Sequence, residues 1–512
     1  MQNKIIQIIA ILAVISSGFF FFLLTDFSSS YQSPNNEKTS TKSTINPYVK
    51  EYSLPDGTWP NGILVDKKGS VWVAGSQIHK LFKFDAQQEK IVETFQLTTQ
   101  DEHSGVSRMV WTMVEDNEDA IWFSQMGPDP IWRFDPHTNK FDIFHVSAAP
   151  FQMKTDNAGN IWFTTLTANT VGIIQKAYLQ EQNQEYKITE FNLDSDSLPS
   201  GIFLDEEYVW ITMINDNKIV KFLPVKDANG SIIDINKIIE VPITKENLIY
   251  SPTDMIILGD SSVWVTEHGT SFVSKFSDDF QNVVKFPTSQ NQYQATSLPF
   301  WIKGTKDGKG FWFNEHTGNK IGFFNTEKME LIEYEIPSRP SDGYIVFPLS
   351  IATDPTNDNL LWFSEWNTDK IGVIDKSMPL PFDIVPNEEE NILFHDDAKS
   401  FSAKISMNII KNRNEFFEEN NHNIILLNAS SSLELNAGFG NMTVTFSTDH
   451  LSLTEINEKR IDILIQNIPI VKNYTLSISA TNGIITKSIF FELMNKSINS
   501  LTITLEPKNA LL

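Results

Sequence analysis

A chain of 512 residues is longer than one core supports, since single cores rarely pass roughly 250 to 300 residues, so two or more units are expected. A hydrophobic fraction of 41% with 12% aromatics excludes wholesale disorder; 64 acidic against 40 basic residues, a formal charge of −24, argue against nucleic acid, which needs an excess of Lys and Arg. With no cysteine there is no disulfide framework, thiolate zinc site or thiol nucleophile, and any metal must be held by oxygen or by the 9 histidines.

The first element is the stretch Ile5 to Leu24 (IIQIIAILAVISSGFFFFLL), uncharged over a bilayer span and read as a transmembrane helix. Lys4 before it and Asp26 after it favour an inside amino terminus and an exported remainder. A cleaved signal peptide is the rival reading, but no clear small-x-small site follows the apolar run, which favours a signal anchor over residues 1–27. Residues 28–46, rich in Ser, Thr, Asn and Lys, form an expected flexible tether. The bulk of the chain is thus expected outside the cytoplasm, joined to the cell membrane by its first helix.

Next comes an internal repeat, with tryptophan as its ruler. Trp72, Trp122, Trp162, Trp210, Trp264, Trp312 and Trp362 each follow an apolar residue at intervals of 40 to 54 residues. The segments that follow align without a gap, as in IWFSQMGPDPIWRFD, FWFNEHTGNKIGFFN and LWFSEWNTDKIGVID. Each reads as two short strands joined by a hairpin, preceded by a strand that usually begins at a proline and followed by an outer strand such as FDIFHV or LIEYEI. Four antiparallel strands recurring seven times predict a seven-bladed β-propeller over residues 47–379. The seventh copy lacks an outer strand of its own. The segment Val49 to Leu54 (VKEYSL) has the outer-strand pattern and is expected to pair with the Trp362 blade and latch the ring.

After Pro379-Leu380-Pro381 the repeat stops and tryptophan disappears. Alternating runs such as Tyr474 to Ala480, with the turn Thr481-Asn482-Gly483, predict an all-β sandwich over residues 380–512, immunoglobulin-like in strand pattern alone.

The repeat [ILVF]-W-F-[TSN]-E-x-x-x-[ND]-K-I-G, clearest at Trp312 and Trp362, resembles that of streptogramin B lyase (virginiamycin B lyase), a seven-bladed propeller. The resemblance covers about 330 residues and shades into the NHL and gluconolactonase-like propellers. It implies elimination that opens the ester ring of a cyclic depsipeptide, using a His base, supporting Glu residues and Mg²⁺ on the top face. The family's inner strand opens with Pro-His in late blades. Here the corresponding positions are Asn61, Trp111, Phe151, Ser200, Thr253, Phe300 and Leu349, none of them able to remove a proton next to a carbonyl.

The acidic positions survive in part. Glu267, Glu315 and Glu365 stand three residues after their blade tryptophans, and His268 and His316 follow two of them. These five are the candidate catalytic residues, with Glu315 and Glu365 as candidate ligands of a divalent cation. Against this, neighbours on one strand point to opposite faces, so at most one of each Glu-His pair is expected to reach a shared space, and ordinary hydrogen bonding between blades is the plainer role. The blade tryptophans are expected core. Asn61, Trp111, Phe151, Phe300 and Trp366 are the candidate ligand contacts, their rings either lining a hydrophobic mouth or plugging it. The preferred reading is a surface module that binds an unknown extracellular ligand or protein; the alternative is a divalent-metal-dependent carbon-oxygen lyase acting from blades five to seven.

Overall fold

The computed structural model describes residues 46–505 apart from 98–108, 127–129, 179–183, 194–196, 242–243, 245–247, 290–294, 340–345, 388–391, 396–399, 413–422, 435–437, 439, 470–473 and 498–499. The apolar segment Ile5 to Leu24 and nearly all of the tether lie outside the described residues. Among the described residues every regular element is a β-strand, and no helix is long and apolar enough to cross a membrane.

Two compact units divide the described residues: those within 53–241 with 248–255, and 46–52 with 244 and those within 256–505. The repeat tryptophans sit on the strands Val71–Gly75, Ile121–Ser124, Ile161–Thr165, Val209–Met213, Val263–Glu267, Gly310–Glu315 and Leu360–Glu365. Each of these is the second strand of a four-strand run, and the runs are numbered here as sheets one to seven in that order. β-Branched and aromatic residues suit a strand covered on both sides, and every residue of Val71–Gly75 is buried. Burial falls toward the fourth strand: Lys90–Gln96 keeps most of its residues exposed.

In the first unit each indole is held from the preceding turn. Trp72 Nε1 donates to Asp66 Oδ2 at 2.9 Å, Trp122 to Asp116 at 2.8 Å, Trp162 to Asp156 at 3.1 Å and Trp210 to Asp205 at 2.8 Å. The other carboxylate oxygen accepts backbone N–H groups of the same turn, as from Lys68 and Ser70 onto Asp66. Across the strand pair a cation covers the ring where the sequence supplies one: Trp72 opposes Lys83 and Trp210 opposes Lys221, with Nζ 5.4 and 4.7 Å from the ring centres. Adjacent sheets of this unit share apolar cores, one joining Trp72 and Leu81 to Phe123, Trp132 and Phe134.

In the second unit Val49–Ser53 is the outer strand of sheet seven, beside Lys370–Asp375. Tyr52 stacks on Trp362 with ring centres 5.9 Å apart, and Tyr48 Oη donates to Pro379 O at 2.7 Å. The outer strand of sheet six, Glu330–Glu335, pairs in turn with Ile485–Ser497, from Tyr334 opposite Ile485 to Glu330 opposite Ile489. The sheet therefore runs on through Tyr474–Thr481, Ile424–Ser431 and His450–Ser452. Phe490 from this junction packs against Phe286 and Phe324, ring centres 5.1 and 5.6 Å away, in the core shared by sheets five and six. A further sheet, built on Phe382–Pro386, Ser400–Lys411, Glu458–Pro469 and Thr443–Phe446, shares one core with the Tyr474–Thr481 side through Ile405, Ile463, Ile465, Leu476 and Ile478.

Candidate functional site

Neighbouring sheets are tied near the inner strand by the residue two places after the repeat tryptophan. Thr164 Oγ1 donates to Ser200 O, Thr212 Oγ1 to Thr253 O and Thr266 Oγ1 to Phe300 O. These bonds hold the carbonyl of the position that follows each inner-strand proline and so set where its side chain lies. A second device holds the start of that strand. Trp59, Leu198, Ser251, Leu298 and Phe347, each directly before a proline, have φ between 49° and 53°. That left-handed conformation costs a non-glycine residue about 1–3 kcal/mol and persists only where neighbours enforce it. Enforcement comes from the residue four after the tryptophan: Ser76 N donates to Trp59 O, Ile214 N to Leu198 O, His316 N to Leu298 O and Trp366 N to Phe347 O.

In the first unit this geometry buries Asn61, at 2% exposure, where its Oδ1 accepts from Ser76 Oγ at 2.6 Å. Trp111 is half-buried, and its ring lies 5.2 Å from that of the buried Phe151. In the second unit the same positions bring two histidines together. His268 Nε2 and His316 Nδ1 are 3.0 Å apart, so one ring donates to the other. Phe300 lies 4.9 Å from both imidazole centres, Phe347 lies 6.1 Å from His316, and Trp366 lies 6.2 Å from Phe347. His316 and Phe300 are buried, while His268 and Trp366 are half-buried. Burial lowers both imidazoles, His316 to about 4 and His268 well below its usual range with a further push from His316. Both rings are therefore neutral at physiological pH.

The glutamates that precede these histidines turn elsewhere, each into its own sheet. Glu267 is fully buried; Lys285 Nζ donates to its two oxygens at 2.9 and 2.9 Å, and Ser274 Oγ also donates to it. Glu315 pairs in register with Lys320, whose Nζ is 3.6 Å from Glu333 Oε1 and donates to Ser289 Oγ. Burial first, then the Glu333 carboxylate, raise Glu315 well above the usual carboxylate range. Glu365 accepts from Thr368 Oγ1 at 2.6 Å, and burial together with Glu51 pushes it up to about 8. Glu51 itself accepts from Lys370 Nζ at 2.8 Å and from Ser338 N and Oγ at 2.8 and 2.8 Å. Among the described residues no three His, Asp or Glu side chains form a group placed to hold one ion.

The structure thus gathers His268, His316, Phe300 and Trp366 from the expected residues, and keeps Glu267, Glu315 and Glu365 in three separate clusters. Sequence reasoning missed Phe347. Its signal was available, since it is the residue before an inner-strand proline, the place where Leu298 and Leu198 also stand.

No protein-family model matches the sequence, and no curated protein matches it. Solved structures do. The extracellular domain of the one component system BT4673 from B. thetaiotaomicron matches with 15% identity and a TM-score of 0.45, over 86% of this chain and 56% of that one. Virginiamycin B lyase from Staphylococcus aureus matches with 22% identity and a TM-score of 0.49, over 64% of this chain and 98% of that one. A streptogramin B lyase structure matches with 20% identity and a TM-score of 0.50, over 65% of this chain and 99% of that one. The tryptophan repeat therefore builds the β-propeller fold found in streptogramin B lyase.

Proposed function

We propose that the chain is an extracytoplasmic ligand-binding propeller, tethered to the membrane by its amino-terminal segment, whose ligand meets the rim of His268, His316, Phe300, Phe347 and Trp366. The observation that carries this reading is the 3.0 Å bond between His268 and His316, with the neighbouring glutamates closed into their own sheets. Two neutral imidazoles beside three aromatic rings suit an apolar or aromatic ligand with a hydrogen-bonding group, and the half-buried Trp366 and His268 are the members that reach solvent.

The alternative, a lyase using Mg²⁺ at Glu315 and Glu365, draws support from the neutral imidazole pair, which could accept a proton. Against it, Glu315 and Glu365 sit in separate clusters, where Lys320 and Lys370 already supply positive charge, which favours the binding reading. Calorimetry of the full-length chain with Mg²⁺, Mn²⁺ or Ca²⁺ at millimolar concentration decides between the two. The binding reading expects no heat. Heat that a Glu315→Gln, Glu365→Gln double variant abolishes would make the lyase reading the better one. Protease digestion of intact cells tests the topology: protection of residues 380–512 would sink an extracytoplasmic location.

A further inference from the structure

Four sheets place a lysine at the first position of the third strand, in register with the residue three after the repeat tryptophan: Lys80 opposite Gly75, Lys218 opposite Met213, Lys320 opposite Glu315 and Lys370 opposite Glu365. In sheets six and seven the residue opposite the lysine is a buried glutamate. In sheet four that place is taken by methionine, and a cavity of about 520 Å³ opens there, between the Phe191–Leu193 end of sheet three's outer strand and sheet four. Its floor is apolar: Phe191, Met213, Val220 and Phe222 are all buried. Its charged lining is Lys218, Lys237 and Asp234, with cations in excess. Lys218 is ion-paired with Asp216, 3.0 Å away, which also accepts from Ser197 Oγ at 2.7 Å.

We propose that this cavity binds a small amphipathic carboxylate, its charged group beside Lys218 where sheets six and seven carry their own glutamate, and its aliphatic tail on Phe191, Met213 and Phe222. The volume falls within the range of small-molecule sites. Lysines in excess of carboxylates around an apolar floor suit one anionic head on one apolar tail, because the tail gains from leaving water and the head gains a charge-assisted hydrogen bond. The site is separate from the histidine rim and does not rest on the function proposed for it.

Calorimetric titration of the full-length chain with hexanoate, and with hexanol as the same tail without the charge, tests the assignment. Hexanoate is expected to bind at least about ten-fold more tightly than hexanol, the value of one charge-assisted hydrogen bond. Met213→Glu, which restores the glutamate of sheets six and seven, is expected to abolish hexanoate binding. Lys218→Gln, with an unfolding midpoint measured alongside to show that it is folded, is expected to weaken it about ten-fold. His316→Ala should leave it unchanged, which separates this site from the histidine rim. Absence of hexanoate binding at millimolar concentration, equal binding of hexanol, or parent-like binding by both Met213→Glu and Lys218→Gln would overturn the proposal.

Discussion

Sheets one to four and sheets five to seven share a strand register but spend their buried polar groups at opposite ends of the same strand. The first four fasten the indole N–H to an aspartate in the turn before the strand. In the later sheets Trp264 has only the Ser262 hydroxyl, 2.9 Å away, and the Trp312 indole has no hydrogen-bond partner among the described residues. Those sheets instead carry a buried glutamate beyond the tryptophan: Glu267 is bonded to Lys285, Glu365 to Thr368, and Glu315 lies in register with Lys320, whose ion pair is to Glu333. The difference teaches that the apolar triplet around tryptophan builds the sheet, while the polar groups at its ends can change without changing the fold. It also explains why conspicuous Glu-His pairs need not make an active site.

The comparison breaks most readily at Lys320. Replacing it by Met leaves the buried Glu333 carboxylate without its cation and is expected to cost about 3–5 kcal/mol in denaturant unfolding, whereas Lys68→Met at an exposed pair should leave the midpoint unchanged. Equal effects of the two would mean that the sheet-six cluster is solvated rather than buried. Next in size, Asp66→Ala removes a charged acceptor from the Trp72 indole and should cost about 1–3 kcal/mol, against about 1 kcal/mol for Ser262→Ala beneath Trp264. A larger loss at Ser262 would reverse the contrast between the two kinds of sheet.

The smallest effects are pH slopes, and they sharpen the contrast because both come from the second unit. The carboxyl of Glu365 is raised on folding from its usual 4.5 to about 8, so its contribution is full below the usual value and is lost progressively as pH rises from there through about 8. Loss of the Glu365 contribution is therefore expected to lower the unfolding midpoint between pH 4.5 and about 8 and to level off above that, and Glu365→Gln to flatten that slope. The imidazole of His316 is lowered by folding, so its contribution is present above its usual range near 6.5 and is lost as pH falls through about 4. An acid limb that persists unchanged in His316→Gln would show that carboxylates elsewhere, not the histidine pair, cause it.

Much of the fold was legible because it repeats. Seven tryptophans at near-constant spacing located seven second strands, and the pattern VKEYS pointed to the strand that completes sheet seven. The aspartates six residues before Trp72, Trp122 and Trp162 were equally visible, but only the placed indole N–H gives them a reason. The site was less legible. Strand alternation allowed one member of each Glu-His pair to reach a shared space without saying which. The outcome depended on Lys285 and Glu333, which stand far along the chain from Glu267 and Glu315 and carry no local mark of the pairing. The junction of Glu330–Glu335 with Ile485–Ser497 was invisible for the same reason: an edge strand offers its backbone to any partner of matching length, and register across so long a separation is decided by side-chain fit.

By itself, then, the sequence determined the strand repeat, its apolar second strands and the residues that stand at each inner-strand start, because period, turn residues and burial are local properties of a chain. Only the tertiary structure decided that His268 meets His316, that Glu267 closes on Lys285 while Lys320 turns to Glu333 and Lys370 to Glu51, and that Met213 and Lys218 line one cavity. Those outcomes depend on which side chains share a low-dielectric space, where an unpaired charge is costly and a neutral pair is not, and no spacing in the sequence states that in advance.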